Sequence, residues 1–163
     1  MTKRYYAAYG SNLNIKQMNI RCPDAKIVGT SWINDYELCY KGSKTGAYLT
    51  IEKAKGEQVP IGVWEVTETD EKALDRYEGY PAFYYKKEMT LPVKETGTGV
   101  LKKRKCFIYI MHEDRPYGRP TDSYVGTVLR GYIDFKFDEH YLSEASIKAE
   151  EVTHGNKFNF VWF

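Results

Sequence analysis

Lys3-Arg4-Tyr5-Tyr6-Ala7-Ala8-Tyr9-Gly10-Ser11-Asn12-Leu13-Asn14 is the stretch that decides the fold. Its Tyr-rich apolar run favours a pleated surface, so Lys3 to Tyr9 is expected to be a β-strand. Gly10 then permits a sharp turn. Asn14 reads as a helix N-cap, with Gln17 as the returning partner of a capping box. Ile15, Met18 and Cys22 share one helical face, and Pro23 stops the helix. Strand, glycine turn and helix start leave free backbone N–H groups aimed at one spot, with the positive end of a helix dipole behind them. A carboxylate or a developing oxyanion suits such a cradle. An ordinary strand-to-helix turn has the same pattern, and these residues alone leave both readings open. A phosphate loop needs a longer Gly-rich run and a Lys.

A second segment lies about seventy residues on, Tyr77-Glu78-Gly79-Tyr80-Pro81. Val59 to Val66 reads as a strand. Thr67 or Thr69 caps the following helix, with Asp70 and Glu71 in its first turn, as the dipole prefers. Ala73, Leu74 and Tyr77 give it an apolar side, and Gly79 then Pro81 stop it. Glu78 therefore falls in the last turn, at the negative helix end, where a carboxylate costs roughly 0.3–1 kcal/mol. That field and any burial raise its pKa toward the value a general base near neutral pH needs. A surface glutamate reaching back to Lys72, Lys86 or solvent is the alternative.

Taken together, the two segments resemble the γ-glutamylcyclotransferase-like family, which includes avirulence-induced plant proteins. The family's strand ending in Tyr-Gly-Ser-Asn-Leu stands intact at Tyr9 to Leu13. Its Leu-Asp-x-x-Glu-Gly stretch is Leu74-Asp75-Arg76-Tyr77-Glu78-Gly79. Cys106 to Met111 matches a strand ending Tyr-x-Met, and Pro120 to Tyr132 a helix with a Tyr near its start. The resemblance covers roughly residues 3 to 145. It implies a mixed sheet curled into a small, partly closed β-barrel with flanking helices. It also implies cyclisation of a γ-glutamyl amide to 5-oxoproline with release of an amine, without metal or cofactor. Glu78 takes the catalytic role. Tyr9, Gly10, Ser11, Asn12, Leu13 and Asn14 hold the substrate, and Tyr124 matches the family's pocket tyrosine. Of Tyr84 and Tyr85, strand alternation sends only one inward, and Tyr85 is the expected one. A different γ-glutamyl compound, such as a γ-glutamylamine, and a non-catalytic binding or regulatory protein are the competing readings. An intact Glu78 favours an enzyme, since a pure binder gains nothing from a carboxylate at a helix C-terminus.

Composition is compatible with this. A chain of 163 residues is the size of one ordinary domain and needs no staple to bury a core. The three cysteines, Cys22, Cys39 and Cys106, are odd in number and scattered, which argues for a reducing compartment, so a cytoplasmic protein is expected. Neither they nor His112, His140 and His154 have metal-ligand spacing. No signal peptide or membrane span is read. With 24 basic against 22 acidic residues, there is no broad footprint for nucleic acid. Lys102-Lys103-Arg104-Lys105 reads as a solvated hairpin tip.

The expected order is strand 3–9, helix 14–21, strands 25–32, 36–41, 47–52 and 59–66, helix 69–78, strands 83–93 and 102–111, and helices 121–136 and 138–152. Strands fill the middle and helices the ends, which is the α+β class. The loop Glu113 to Pro120, stiffened by prolines, is a candidate pocket border. Residues 1–152 form the domain. The tail 153–163, with Phe158-Asn159-Phe160-Val161-Trp162-Phe163, is too apolar to float, and is expected to dock on its own domain, as an edge strand or flap, or to pair with a second subunit in a homodimer.

Overall fold

The computed structural model describes residues 2–43 and 45–161, with side chains as far as His154. The opening run is strand β1, Arg4–Ala8. A 3₁₀ turn, Ser11–Leu13, intervenes before helix α1, Ile15–Arg21. Asn14 caps α1 as expected: its side chain accepts from the Gln17 N–H.

The four middle strands expected from the sequence are two long ones, β2 (Lys26–Lys41) and β3 (Tyr48–Val66). They pair antiparallel along their length, with Ile33 opposite Val59, Leu38 opposite Ile51 and Tyr40 opposite Leu49. The polar stretches that look like breaks are a bulge. Pairing skips from Asn34/Gln58 to Tyr36/Lys53, with Asp35 at φ 62 and Gly56 at φ 85. The Asp35 carboxylate accepts from the Gly56 N–H at 3.0 Å, so the bend is hydrogen-bonded rather than a chain break.

Helix α2 (Glu68–Glu78) follows, then the hairpin β4 (Tyr84–Glu95) and β5 (Leu101–Met111). The basic cluster lies on β5 itself, with Val93 opposite Lys102 and Thr90 opposite Lys105, and the turn sits earlier, at residues 96–98. The strands close into a barrel in the order β1-β3-β2-β4-β5. Two seams are short: β1 meets β5 in parallel at Tyr5/Cys106 and Tyr6/Phe107, and β2 meets β4 at Gly29/Glu95 and Thr30/Lys94. This is the α+β barrel with flanking helices that the family resemblance implies, closed all the way round through these two short seams rather than only in part.

Helix α3 (Asp122–Phe135) presses on the turn after β1. The approach needs glycine twice. A Cβ on Gly131 would lie 2.6 Å from the Asn14 nitrogen, and one on Gly62 would lie 2.6 Å from Leu13 and 2.7 Å from Phe135. Leu13 is fully buried in this contact. Helix α4, His140–Val161, kinks at His154 and runs on, so the backbone of the tail is helical and not an edge strand. The docking expected of its aromatic side chains lies outside the described residues.

Candidate active site

The strand-to-helix turn and the end of α2 meet at one end of the barrel. Between them is a cavity of about 330 Å³. Tyr6, Tyr9, Gly10, Ser11 and Asn12 form one wall. Arg76, Tyr77, Glu78 and Gly79 form another, and Tyr48, Leu49, Phe83, Tyr84, Tyr109 and Tyr124 complete it.

Glu78 reaches the cavity because α2 ends there. Thr67 and Asp70 form a reciprocal capping box at the start of α2, which fixes where it begins. Gly79 adopts the left-handed conformation at φ 63, ψ 38, and the Tyr80 N–H returns to the Asp75 carbonyl at 2.9 Å, which ends it. Glu78 is half-buried. Among the described residues no hydrogen bond or ion pair engages its carboxyl. Burial pushes its pKa from the usual 4.5 up to about 8, with the Arg21 guanidinium pulling the other way. The negative end of α2 acts in the same direction as burial.

The cradle differs from the expected helix N-terminus. The first N–H groups of α1 are already engaged, Ile15 by the Asp134 carboxylate at 3.2 Å and Gln17 by Asn14. The 3₁₀ turn supplies the donors instead. Leu13 and Asn14 bond back to Gly10 and Ser11, both at 3.0 Å, while Ser11 and Asn12 begin the turn and have no acceptor within it. Gly10 lets the Tyr124 hydroxyl come close, since a Cβ there would stand 3.3 Å from that oxygen.

Side chains lock the two walls together. Ser11 Oγ and the Tyr77 hydroxyl share a hydrogen bond of 2.9 Å. The Arg21 guanidinium lies 3.4 Å over the Tyr77 ring and donates to Asn12 Oδ1. Trp64 Nε1 donates to the Asn12 carbonyl at 3.1 Å, tying the turn to the barrel core. Three pocket phenols donate inward to the protein: Tyr9 to the Tyr109 carbonyl at 2.7 Å, Tyr84 to the Leu49 carbonyl at 2.9 Å, and Tyr109 to Asp75 at 2.6 Å. Two accept: Tyr6 from Asn12 Nδ2 at 2.9 Å, and Tyr124 from the Leu49 N–H at 3.1 Å.

Of the residues expected at the site, Glu78, Tyr9, Gly10, Ser11, Asn12 and Tyr124 line the cavity. Leu13 and Asn14 do not. Leu13 is core, and the Asn14 side chain caps α1 and donates to the Thr127 carbonyl at 3.1 Å. Tyr85 is also misplaced: it is Tyr84 that faces inward, while the Tyr85 hydroxyl bonds Glu113 and its ring sits by His112. The pleat admits one of the two, and only the hairpin register, Tyr84 opposite Met111, says which. The loop Glu113 to Pro120 contributes no lining residue. Tyr6, Tyr48, Tyr109, Arg76 and Arg21 are additions. The first three hide among strand tyrosines, and nothing local marks Arg21, which reaches the site only because α1 ends beside α2.

Among the described residues no three His, Cys, Asp or Glu side chains gather as a metal-binding set, and no helix is long and apolar enough to cross a membrane.

One end of the curled sheet thus encloses a cavity in which the Glu78 carboxyl, unpaired among the described residues, faces a backbone turn. The family model described as "Gamma-glutamyl cyclotransferase, AIG2-like" matches residues 6–125, and the chain belongs to that family. It is 31% identical over 136 residues to the gamma-glutamylcyclotransferase of Bos taurus, covering 77% of this chain and 68% of the relative. The Homo sapiens gamma-glutamylcyclotransferase is 29% identical over 135 residues, with the same coverage. A solved gamma-glutamyl cyclotransferase superposes with a TM-score of 0.75 at 22% identity, covering 88% of this chain and 86% of that one, a likeness of fold.

Proposed function

We propose that this chain converts a γ-glutamyl amide to 5-oxoproline and a free amine, with Glu78 as the sole acid–base group. The observation that carries the reading is the unpaired Glu78 carboxyl, raised to about 8, in a cavity walled by the Tyr9–Asn12 turn. Family membership supports the same reaction class.

The chemistry needs no outside nucleophile. The substrate's α-nitrogen attacks its own γ-carbonyl carbon, a C–N bond forms, and a five-membered lactam closes. The bond to the departing amine then breaks. One proton leaves the attacking nitrogen and one arrives on the departing nitrogen, so a single carboxyl can carry it across. An α-amine ordinarily titrates at about 7.7–8.0. A carboxyl near 8 is therefore matched to it, and proton transfer between them is close to thermoneutral. Among the described residues nothing accepts from the N–H groups of Ser11 and Asn12, so they suit the substrate's carboxylate, and the cavity holds the chain folded for attack. A cavity of about 330 Å³ fits a γ-glutamyl unit with a small amine.

The test is incubation of pure protein with γ-glutamyl dipeptides, γ-glutamylamines and glutathione, with 5-oxoproline followed by mass spectrometry. Formation from at least one compound is expected. None from any of them would refute the proposal.

A further inference from the structure

Each phenol carries one proton, so the hydrogen bonds around the cavity show which protons are spent. Those of Tyr9, Tyr84 and Tyr109 are given to protein acceptors. Tyr6 and Tyr124 are different, because their oxygens accept, Tyr124 from the Leu49 N–H and Tyr6 from Asn12 Nδ2, and only Tyr6 is held this way by a side chain that Arg21 orients. The direction of the Tyr6 bond is fixed from the far side. Arg21 donates to Asn12 Oδ1, and a guanidinium has no lone pair to offer, so the amide oxygen must face Arg21 and the amide nitrogen must face Tyr6. Stacking on Tyr77 holds Arg21 in place. Among the described residues nothing takes the Tyr6 proton. Tyr6 is only 4% exposed and shares the cavity wall with Glu78, to which no hydrogen bond joins it.

We propose that the Tyr6 hydroxyl donates a hydrogen bond to the carbonyl oxygen under attack, and that Arg21 and Asn12 are positioning residues that aim it. The inference rests on the γ-glutamyl reading above. As nitrogen attacks, the carbonyl π-pair moves onto oxygen. Tyr6 stabilises that charge without surrendering its proton, and the pair returns to carbon when the amine departs with the proton that Glu78 delivers. Burial and the nearby Glu78 carboxyl hold Tyr6 protonated well past its usual range, which suits a donor that never ionises.

The experiment uses the full chain and a γ-glutamyl compound that the wild type turns over. Tyr6→Phe should lower kcat by about 10²–10³-fold, the effect of losing one oxyanion donor, with KM little changed. Asn12→Asp keeps the shape and the Arg21 contact but can only accept, so it turns the Tyr6 proton away from the cavity. Its kcat, compared on the high-pH plateau where Glu78 is ionised, should fall by a similar factor, and should fall no further in the Tyr6→Phe background. A substrate-free readout accompanies this: the Asn12 side-chain NH₂ signals in a ¹⁵N–¹H spectrum should shift in Tyr6→Phe. Unmoved signals would overturn the relay. Full kcat in Tyr6→Phe, or undiminished damage from Asn12→Asp in that background, would overturn the donor role. A wild type that cyclises no γ-glutamyl compound removes the proposed acceptor and the proposal with it, an outcome distinct from a failure confined to the variants.

Discussion

Replacing Glu78 with Gln should make the protein more stable in mildly alkaline solution. The folded pKa of about 8 lies above the unfolded value of 4.5. Below 4.5 the group is protonated in both states and contributes nothing to pH dependence. Between 4.5 and 8 the unfolded chain has released a proton that the folded chain retains, so stability falls as pH rises. Above 8 the loss is complete. The slope is about 1.4 kcal/mol per pH unit, which bounds the loss near ~5 kcal/mol over that interval. Glu78 reaches solvent through the cavity, so screening reduces this to about 2 kcal/mol. Gln is nearly isosteric and does not titrate. At about 2–4 °C per kcal/mol for a domain of this size, Glu78→Gln should raise the Tm by about 4–8 °C at pH 8 and leave it unchanged at pH 4.5. Calorimetric melts of both proteins from pH 4.5 to 9 measure the difference, in which all other titrating groups cancel. A difference that does not vary with pH, or a less stable variant at pH 8, would refute the reasoning.

Other perturbations have distinct signatures. Tyr124→Phe removes one neutral hydrogen bond, worth roughly 0.5–1.5 kcal/mol, so KM should rise about 2–12-fold while kcat changes less; steady-state kinetics read the split. Gly131→Ala forces a methyl to within 2.6 Å of the Asn14 backbone, so α3 must lift from the cradle. Overpacking of this kind costs typically 1–3 kcal/mol, visible as a lower midpoint in denaturant titration. EDTA should leave turnover unchanged in a chelator titration of the assay.

Much of the site is local in sequence. Tyr9 to Asn12 and Glu78 each sit where a strand or helix must stop, and those stops are written in Gly10 and Gly79, with the Thr67 cap fixing where α2 begins. The family resemblance also puts Leu13 and Asn14 at the ligand, whereas the 3₁₀ turn carries the Leu13 side chain into the core and the Asn14 side chain to the α1 cap, which no local pattern announces. Two strands were read as four because the Asp35–Gly56 bulge carries turn-like residues. Barrel closure, which rests on Tyr5/Cys106 and Tyr6/Phe107, leaves no periodic mark, and only the family resemblance anticipated it. The inward turn of Tyr84 and the reach of Arg21 into the site depend on register and helix packing, which are non-local.

The central claim is that the Glu78 carboxyl carries the proton from the attacking to the departing nitrogen. Its most direct test is the rate of 5-oxoproline release by Glu78→Gln beside wild type at pH 8, with calorimetric binding of 5-oxoproline to both proteins as the control. The account predicts that binding is retained and that turnover falls by about 10²–10⁴-fold, the contribution of a positioned general base. Near-wild-type release by a folded, ligand-binding Glu78→Gln would contradict it.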